Sequence, residues 1–433
     1  MSQLHVNYLF IPLLISLFAV SGYGIWELFL ALRHKRSKEH YVKEVLRSFD
    51  KMFVLIPTLN EKETIGAMIE NLVEISNELK KAIPITLVVI NDASTDGTAE
   101  VLADYQGHQN LKVITRELPD AQEGKGAALN AGLDWIETLG LDENKTIVGV
   151  IDSDSTPDSL LFSNVYQAFI HSNYDLIQTG VQIVNANSFL TLMQKFEFEI
   201  INLLSQIIRN DWGSALASGN GQFMTLKMTS EIRWRGTLLD DLDFSINGLL
   251  KGYYGGFLSQ TLVPQEGVLS YHKLIKQRVR WCQGGMQCFF RYTKSVFKSK
   301  MISPQLKSDI VAFMISAFFS MLIFPSSLVS IIVMIILFFH YPLSTFFIFC
   351  GILLINGLIA FTVYYSTAYV LKVDKTLDNK LSILKFAYGN LLYTWLLSPV
   401  AYIAFFRLVI GKNNWEKTSH DGSQSSKELG EVK

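Results

Sequence analysis

The 433-residue chain has little cysteine, almost no net charge and no internal repeat, and each shortage removes a class of explanation. Its three cysteines, Cys282, Cys288 and Cys350, include no C-x-x-C pair, which argues against both a disulfide framework and a zinc site. A formal charge of −1 gives no polybasic character, so nucleic acid is not an expected partner. Charge is also missing locally. Between Asp309 and Lys372 there are 62 consecutive residues without Asp, Glu, Lys or Arg, where about 20 apolar residues suffice to cross a bilayer.

Two spans fit in that run, with the turn at His340 to Pro342, because Pro342 cannot continue a helix. A further uncharged stretch covers Phe386 to Phe406. At the other end, Asn7 to Leu32 is uncharged except for Glu27 and is followed by Arg33, His34, Lys35, Arg36 and Lys38, a flank that marks the cytoplasmic side. The run exceeds a signal-peptide core and has no basic leader or small-residue cleavage site, so it reads as an anchor. The expected organisation is an N-terminal transmembrane helix with its flank (1–38), a cytosolic domain (48–300), a membrane region of about three spans (309–410) and a polar tail (411–433). The destination is the cell membrane. One N-terminal and three C-terminal spans put the tail outside, whereas Lys412 and Lys417 prefer the cytoplasm. Either Leu381 to Ile410, interrupted by Pro399, is partly interfacial, or the 62-residue run holds an extra crossing.

From Arg47 to Tyr271 the pattern changes to that of a soluble α/β protein. Met52–Ile56, Ile85–Ile90 and Thr146–Ile151 are short apolar runs of the kind buried on both faces of a parallel sheet. Helical stretches separate them at Glu63–Lys81, Gly97–Tyr105 and Lys125–Leu139. The predicted fold is therefore a doubly wound, Rossmann-like α/β domain, with ligands at the carboxyl ends of its strands. Gln194–Arg209 and Leu274–Phe290 mix aromatic and aliphatic residues with Lys, Arg and Gln. They either lie along a membrane surface or cover the sheet as ordinary amphipathic helices.

The polar residues cluster at those strand ends. Asp152-Ser153-Asp154 follows a buried strand, and two carboxylates so spaced can share Mg²⁺ or Mn²⁺ with a diphosphate, since hard cations prefer oxygen. Alone the triplet equally suits a turn. Pro57-Thr58-Leu59-Asn60-Glu61 closes the first strand, and the segment from Asn91-Asp92 to Thr98 closes the second, offering groups for a base and ribose. Gly124-Lys125-Gly126 leads into a helix N-terminus, a combination suited to phosphate.

In order and spacing these segments resemble the nucleotide-binding half of inverting family 2 glycosyltransferases. That resemblance implies a GT-A-type domain, with Asp92 at uracil, Asp152 at the ribose and diphosphate, and Asp154 on the metal; Asn91 stands where an aspartate is usual. Asp240-Asp241 resembles the acidic acceptor-side motif. Asp241 matches the catalytic base and Asp240 replaces the more usual glutamate. A solvated helix start is the simpler reading of that acidic run. Gln277-Arg278-Val279-Arg280-Trp281 matches the Q-x-x-R-W signature of the membrane-bound, often processive branch. Arg278 and Arg280 are expected at the pyrophosphate, while Gln277 and Trp281 are expected at the acceptor. Ser218 to Phe223, with Gly219 and Asn220, falls at the acceptor-loop position, and Trp415 to His420 resembles a segment after the last span to which no role is attached.

The implied partners are a UDP-sugar (UDP-glucose or UDP-N-acetylglucosamine), a growing glycan or lipid acceptor, membrane lipids and an accessory membrane or export subunit. The resemblance favours elongation of a β-linked polysaccharide at the cytoplasmic face, coupled to export. Resemblance to glucosyldiacylglycerol synthases leaves a lipid acceptor as the alternative. A nucleotide-sugar binding protein without turnover is the competing class.

Overall fold

The computed structural model describes residues 46–371 and 380–412. The expected N-terminal span, the polar tail beyond 412 and the Trp415 to His420 segment lie outside the described residues.

The first half alternates strand and helix. The elements are β1 (Lys51–Thr58), α1 (Lys62–Leu79), β2 (Ile85–Asp92), α2 (Thr98–Ala103), β3 (Leu111–Arg116), α3 (Lys125–Glu137), β4 (Thr146–Val150), α4 (Ser159–Ile170) and β5 (Leu176–Ile183). Alternation along β1 explains why its apolar run is continuous. Met52, Val54 and Ile56 pack into one layer with Phe162 and Phe169 of α4, while Phe53 and Leu55 pack into the other with Leu129, Leu133 and Ile136 of α3. Each such fully buried side chain contributes about 1.5–3 kcal/mol relative to exposure.

The chain then continues through α5 (Phe189–Phe196), a π segment (Glu197–Asn202), α6 (Leu203–Asp211), β6 (Gln222–Thr225), α7 (Leu226–Ile232), α8 (Asp240–Lys251) and β7 (Gly255–Gln265). The seven strands form one sheet in the order β3-β2-β1-β4-β6-β5-β7. It is Rossmann-like in its first half and mixed in its second. Pairs β1–β2, β1–β4 and β2–β3 are parallel, but β6 runs antiparallel to both β4 and β5. This reversal, which a uniformly parallel reading misses, has a functional consequence. The residue that starts β6, Gln222, pairs with Val150 at the end of β4, so the 218–221 loop is delivered beside Asp152.

A 28-residue helix, α9 (Tyr271–Lys298), links this domain to α10 (Pro304–Phe319), α11 (Ile323–His340), α12 (Pro342–Leu371), α13 (Lys380–Leu396) and α14 (Pro399–Val409). The turn expected at His340 to Pro342 is present at Tyr341, and a second break falls at Pro399. Within the 62-residue uncharged run, α11 and α12 are two helices that meet at the expected turn, and the apolar part of α10 precedes them. Pro304–Leu322 and Tyr388–Val409 are long and apolar enough to cross a membrane. Phe319, Phe338, Phe339, Leu343, Phe347 and Phe406 are among the large apolar side chains left exposed on these helices. At the boundary, Arg209 of α6 pairs with Asp309 of α10 at 2.6 Å, both nearly buried. Leu306, Ile310 and Met314 of α10 share one apolar cluster with Leu242 and Ile246 of α8.

Candidate active site

One cleft gathers the ends of β1, β2 and β4, the start of α3, the 218–220 loop, the start of α8 and one face of α9. Of the residues singled out from sequence, Pro57, Glu61, Asp92, Lys125, Asp152, Asp154, Gly219, Asn220, Asp240, Asp241, Gln277, Arg280 and Trp281 line it. Asn60 and Arg278 do not.

The nucleotide side is assembled by loops that brace one another. Asn60, expected to touch the nucleotide, adopts a positive φ of 51° and spends its side chain on the neighbouring loop, accepting from Thr95 N at 2.8 Å. Its own N–H donates to Ser94 Oγ at 2.9 Å, so the two strand-end loops are tied together. The Glu61 carboxylate lines the cleft and accepts from Thr64 Oγ1 at 3.0 Å in the first turn of α1. Asp92 is buried and paired with Arg116 at the end of β3, a residue that sequence reading passed over because β3 carries no motif.

At the end of β4, Asp152 forms an ion pair with Lys125, whose ammonium also donates to Gly219 O at 2.7 Å. Lys125 is held above the ordinary lysine range. Burial opposes its charge but is outweighed by Asp152, Asp240 and Asp241, so the ammonium is a fixed cation at neutral pH. Gly219 has φ of +88°, where a side chain is strained, and a Cβ there would come to 3.4 Å from Asp241 Oδ2. Asn220, expected to contact the acceptor, is consumed as a strut. Its Oδ1 accepts from Asp152 N at 3.1 Å, and its Nδ2 donates to Ser155 Oγ at 2.8 Å and Gln265 Oε1 at 3.0 Å.

Asp240 and Asp241 open α8, where unsatisfied N–H groups and the helix dipole favour carboxylates. They are nonetheless perturbed upward. Burial and the adjacent Asp240 push Asp241 to about 7, although its Oδ1 accepts from Leu242 N at 2.8 Å. Burial also raises Asp240, against the pull of Lys125 and Arg280. A solvated helix start would show no such shifts. Two features hold this turn in place. Asp243, fully buried, accepts from Arg291 at 2.9 Å and from Tyr292 Oη at 2.7 Å, rooting α8 on α9. Gly284 of α9 lets the helix touch the preceding backbone, since a Cβ there would fall 2.5 Å from Leu239 N.

On the α9 face, Gln277, Arg280 and Trp281 reach the cleft. Burial lowers Arg280, and Asp240, Asp152 and Asp241 counter it. Arg278, expected at a pyrophosphate, is instead turned into the wall, pairing with Glu197 at 2.9 Å. Phe198, in the π segment, lines the cleft and meets Trp281 edge-on with ring centroids 6.3 Å apart. Nothing in sequence periodicity distinguishes a π turn from an α turn, so Phe198 and Glu197 were not legible beforehand.

The cleft thus holds two carboxylates, Asp152 and Asp154, beside two fixed cations, Lys125 and Arg280, and a raised carboxyl at Asp241. Among the described residues no group of three or more His, Cys, Asp or Glu side chains forms a metal cage. Two carboxylates without a third protein ligand are nevertheless a fitting donor set for Mg²⁺ or Mn²⁺ that completes its shell with water and substrate phosphates.

Comparison with known proteins agrees with this architecture. The model of "Glycosyl transferase family 2" matches residues 53–230, and that of "Glycosyl transferase family group 2" matches residues 147–410, more than half of the chain. The chain belongs to glycosyltransferase family 2. Its fold is of the GT-A type. The chain is 28% identical over 283 residues to a beta-monoglucosyldiacylglycerol synthase of Nostoc sp., covering 64% of this chain and 58% of that one. The match therefore spans little more than half the length of that relative. It is 26% identical over 302 residues to the poly-beta-1,6-N-acetyl-D-glucosamine synthase of Staphylococcus aureus, covering 67% of this chain and 68% of that one. A mannosyltransferase from Pyrobaculum calidifontis, solved with GDP-Man and Mn²⁺, superposes with a TM-score of 0.62 at 14% identity, over 93% of this chain and 100% of that one, which shows the shared fold.

Proposed function

We propose that the transferase moves a hexose from a UDP-sugar to an acceptor hydroxyl with inversion at the anomeric carbon, Asp241 taking the proton. The observation that carries this reading is the Asp241 carboxyl, raised to about 7 and lodged between the Lys125–Asp152 pair and the α9 wall. A base of that pKa suits proton removal near neutral pH. The hydroxyl oxygen forms its bond to the sugar as its proton passes to Asp241, and the electron pair of the breaking glycosidic bond leaves with UDP.

Asp92 and Glu61 receive the nucleoside, and Lys125 and Arg280 face the diphosphate as it gains charge. Mg²⁺ or Mn²⁺, held by Asp154 and Asp152, would supply further neutralisation of the leaving diphosphate. Trp281 offers a flat apolar face to the acceptor sugar. Residues 309–410 are assigned to the membrane on the strength of their exposed apolar surface, with the 48–300 domain at its cytoplasmic face.

The acceptor we assign is the end of a growing β-linked glycan, supported by the Gln277 to Trp281 signature and by the similarity to a poly-N-acetylglucosamine synthase. One observation favours a second reading. Among the described residues no side chain of α10–α14 lines the cleft, and a lipid acceptor like that of the glucosyldiacylglycerol synthases fits as well.

Purified full-length protein supplied with radiolabelled UDP-glucose or UDP-N-acetylglucosamine tests the proposal. UDP release with label in a high-molecular-weight product supports the polymer, and label in the organic phase supports the lipid. Tight UDP binding with no release from any donor would overturn the enzymatic reading.

A further inference from the structure

Arg278 is a motif residue that the proposed chemistry leaves unused, yet it is among the most buried cations in the molecule. Its guanidinium carbon lies 4.2 Å from the centroid of the Trp281 ring and 5.9 Å from that of Phe198. Nη2 meets Glu197 Oε2 at 2.9 Å, and the same carboxylate oxygen accepts from Tyr393 Oη of α13 at 3.3 Å. Nε and Nη1 are buried without a hydrogen-bond partner among the described residues.

Burying a guanidinium so incompletely hydrogen-bonded is costly, and a well-packed apolar side chain would be the cheaper filler. What the cation supplies that an apolar residue does not is a flat, charged plane able to lie on an indole face while its edge is pinned by a carboxylate. The pinning carboxylate comes from the π segment, where Glu197 and its neighbour Phe198 bear on the same indole, one through Arg278 and one directly.

We propose that Arg278 is a positioning residue: with Glu197 and Tyr393 it fixes the plane of the Trp281 ring, tying the acceptor face of the cleft to helix α13. The inference rests on reading Trp281 as the acceptor platform. It makes the charge of Arg278 a matter of ring orientation, with no contact to the donor.

A double-mutant cycle on the full-length enzyme tests it, using a β-1,6-linked N-acetylglucosamine trimer and dioleoylglycerol as acceptor probes and UDP release without acceptor as the donor readout. Arg278→Met is expected to raise acceptor KM about tenfold, the scale of one aromatic contact, with donor KM and acceptor-free UDP release unchanged. Added to Trp281→Ala, it should do nothing more. Arg278→Lys keeps the charge but loses the plane, and should resemble Arg278→Met. Tyr393→Phe and Glu197→Gln alter single atoms at the far end of the bracket and should give smaller acceptor-KM increases, which keeps the test available if Arg278→Met does not fold. A rise in donor KM, full rescue by lysine, or additive effects of the two substitutions would overturn the bracket. If Trp281→Ala alone leaves acceptor KM unchanged for both probes, the platform reading itself fails and the bracket with it.

Discussion

On the donor side of the cleft, Asp92, Asp152 and Asp154 stand at or just past strand ends, and they and Lys125 are braced along the same edge of the sheet, by Arg116, Asn220 and Gly219. On the acceptor side, Asp241 and Trp281 stand on helices whose positions depend on packing between helical segments, such as Asp243 on Tyr292 and Arg278 on Glu197. The donor side is stabilised by the sheet; the acceptor side is stabilised by α9. Small geometric errors should therefore be tolerated differently, with donor binding robust and transfer fragile.

The sharpest way to separate the sides is Asp241→Asn. Loss of the general base should lower transfer by about 10²–10⁴-fold, while UDP-sugar binding by calorimetry stays near wild type; lost binding would place Asp241 on the donor side. Burial and Asp240 push the carboxyl up to about 7 against the pull of Lys125, and the proposed base acts in its ionised form. Wild-type transfer should rise as pH increases through about 7. Stability should move the other way. A folded-state value raised above the unfolded one means that folding binds a proton more tightly, so this stabilisation is complete at low pH and is lost as pH rises toward and through about 7. Melting curves at pH 5 and pH 8 should accordingly differ less for Asp241→Asn than for wild type.

Asp154→Ala is next in size. Removing part of the charge-neutralising set should lower activity by about 10²–10³-fold and flatten its response to Mg²⁺ or Mn²⁺. An unchanged metal titration would take Asp154 out of that set. Gly284→Ala probes the helix packing alone, since the new methyl must push α9 off Leu239 and so shift the turn that carries Asp241. A displacement near 1 Å can cost up to about 10²-fold in kcat, with UDP affinity retained; equal losses in both would dissolve the distinction between the two sides. Asn60→Ala should matter least. It removes a hydrogen bond between exposed loops, about 1 kcal/mol, visible as a small fall in melting temperature and at most a few-fold rise in donor KM.

The same contrast explains what could be read in advance. β1, β2 and β4 announce themselves because a strand buried on both faces must be continuously apolar, and the polar residues that end it are conspicuous by contrast. Asp92, Asp152 and Asp154 were visible for that reason, and Lys125 because two glycines flank it at a helix N-terminus. Arg116 ends a strand with no such contrast. The antiparallel β6 is only four residues long, too short for its direction to leave a pattern. Asn60, Asn220 and Arg278 were legible as important residues but were assigned to ligands, because sequence shows that a polar group is present and not which partner has already claimed it. Phe198 and Glu197 owe their place to a π turn that amphipathic periodicity does not encode.

The apolar cluster shared by α8 and α10 bears on where the enzyme can be cut. Composition suggests an edge near residue 300, with a soluble catalyst on one side and a lipid-embedded remainder on the other. A protein ended there would lose Leu306, Ile310 and Met314 from beneath the helix that carries Asp241, and would strip Arg209 of its Asp309 partner, a rupture that costs about 3–5 kcal/mol in buried pairs. Helix α10 thus serves two surroundings at once. Its first turns are core shared with the sheet domain and its last turns are apolar surface, so a shortened version of this protein calls for redesigning the outer face of α10 rather than removing it.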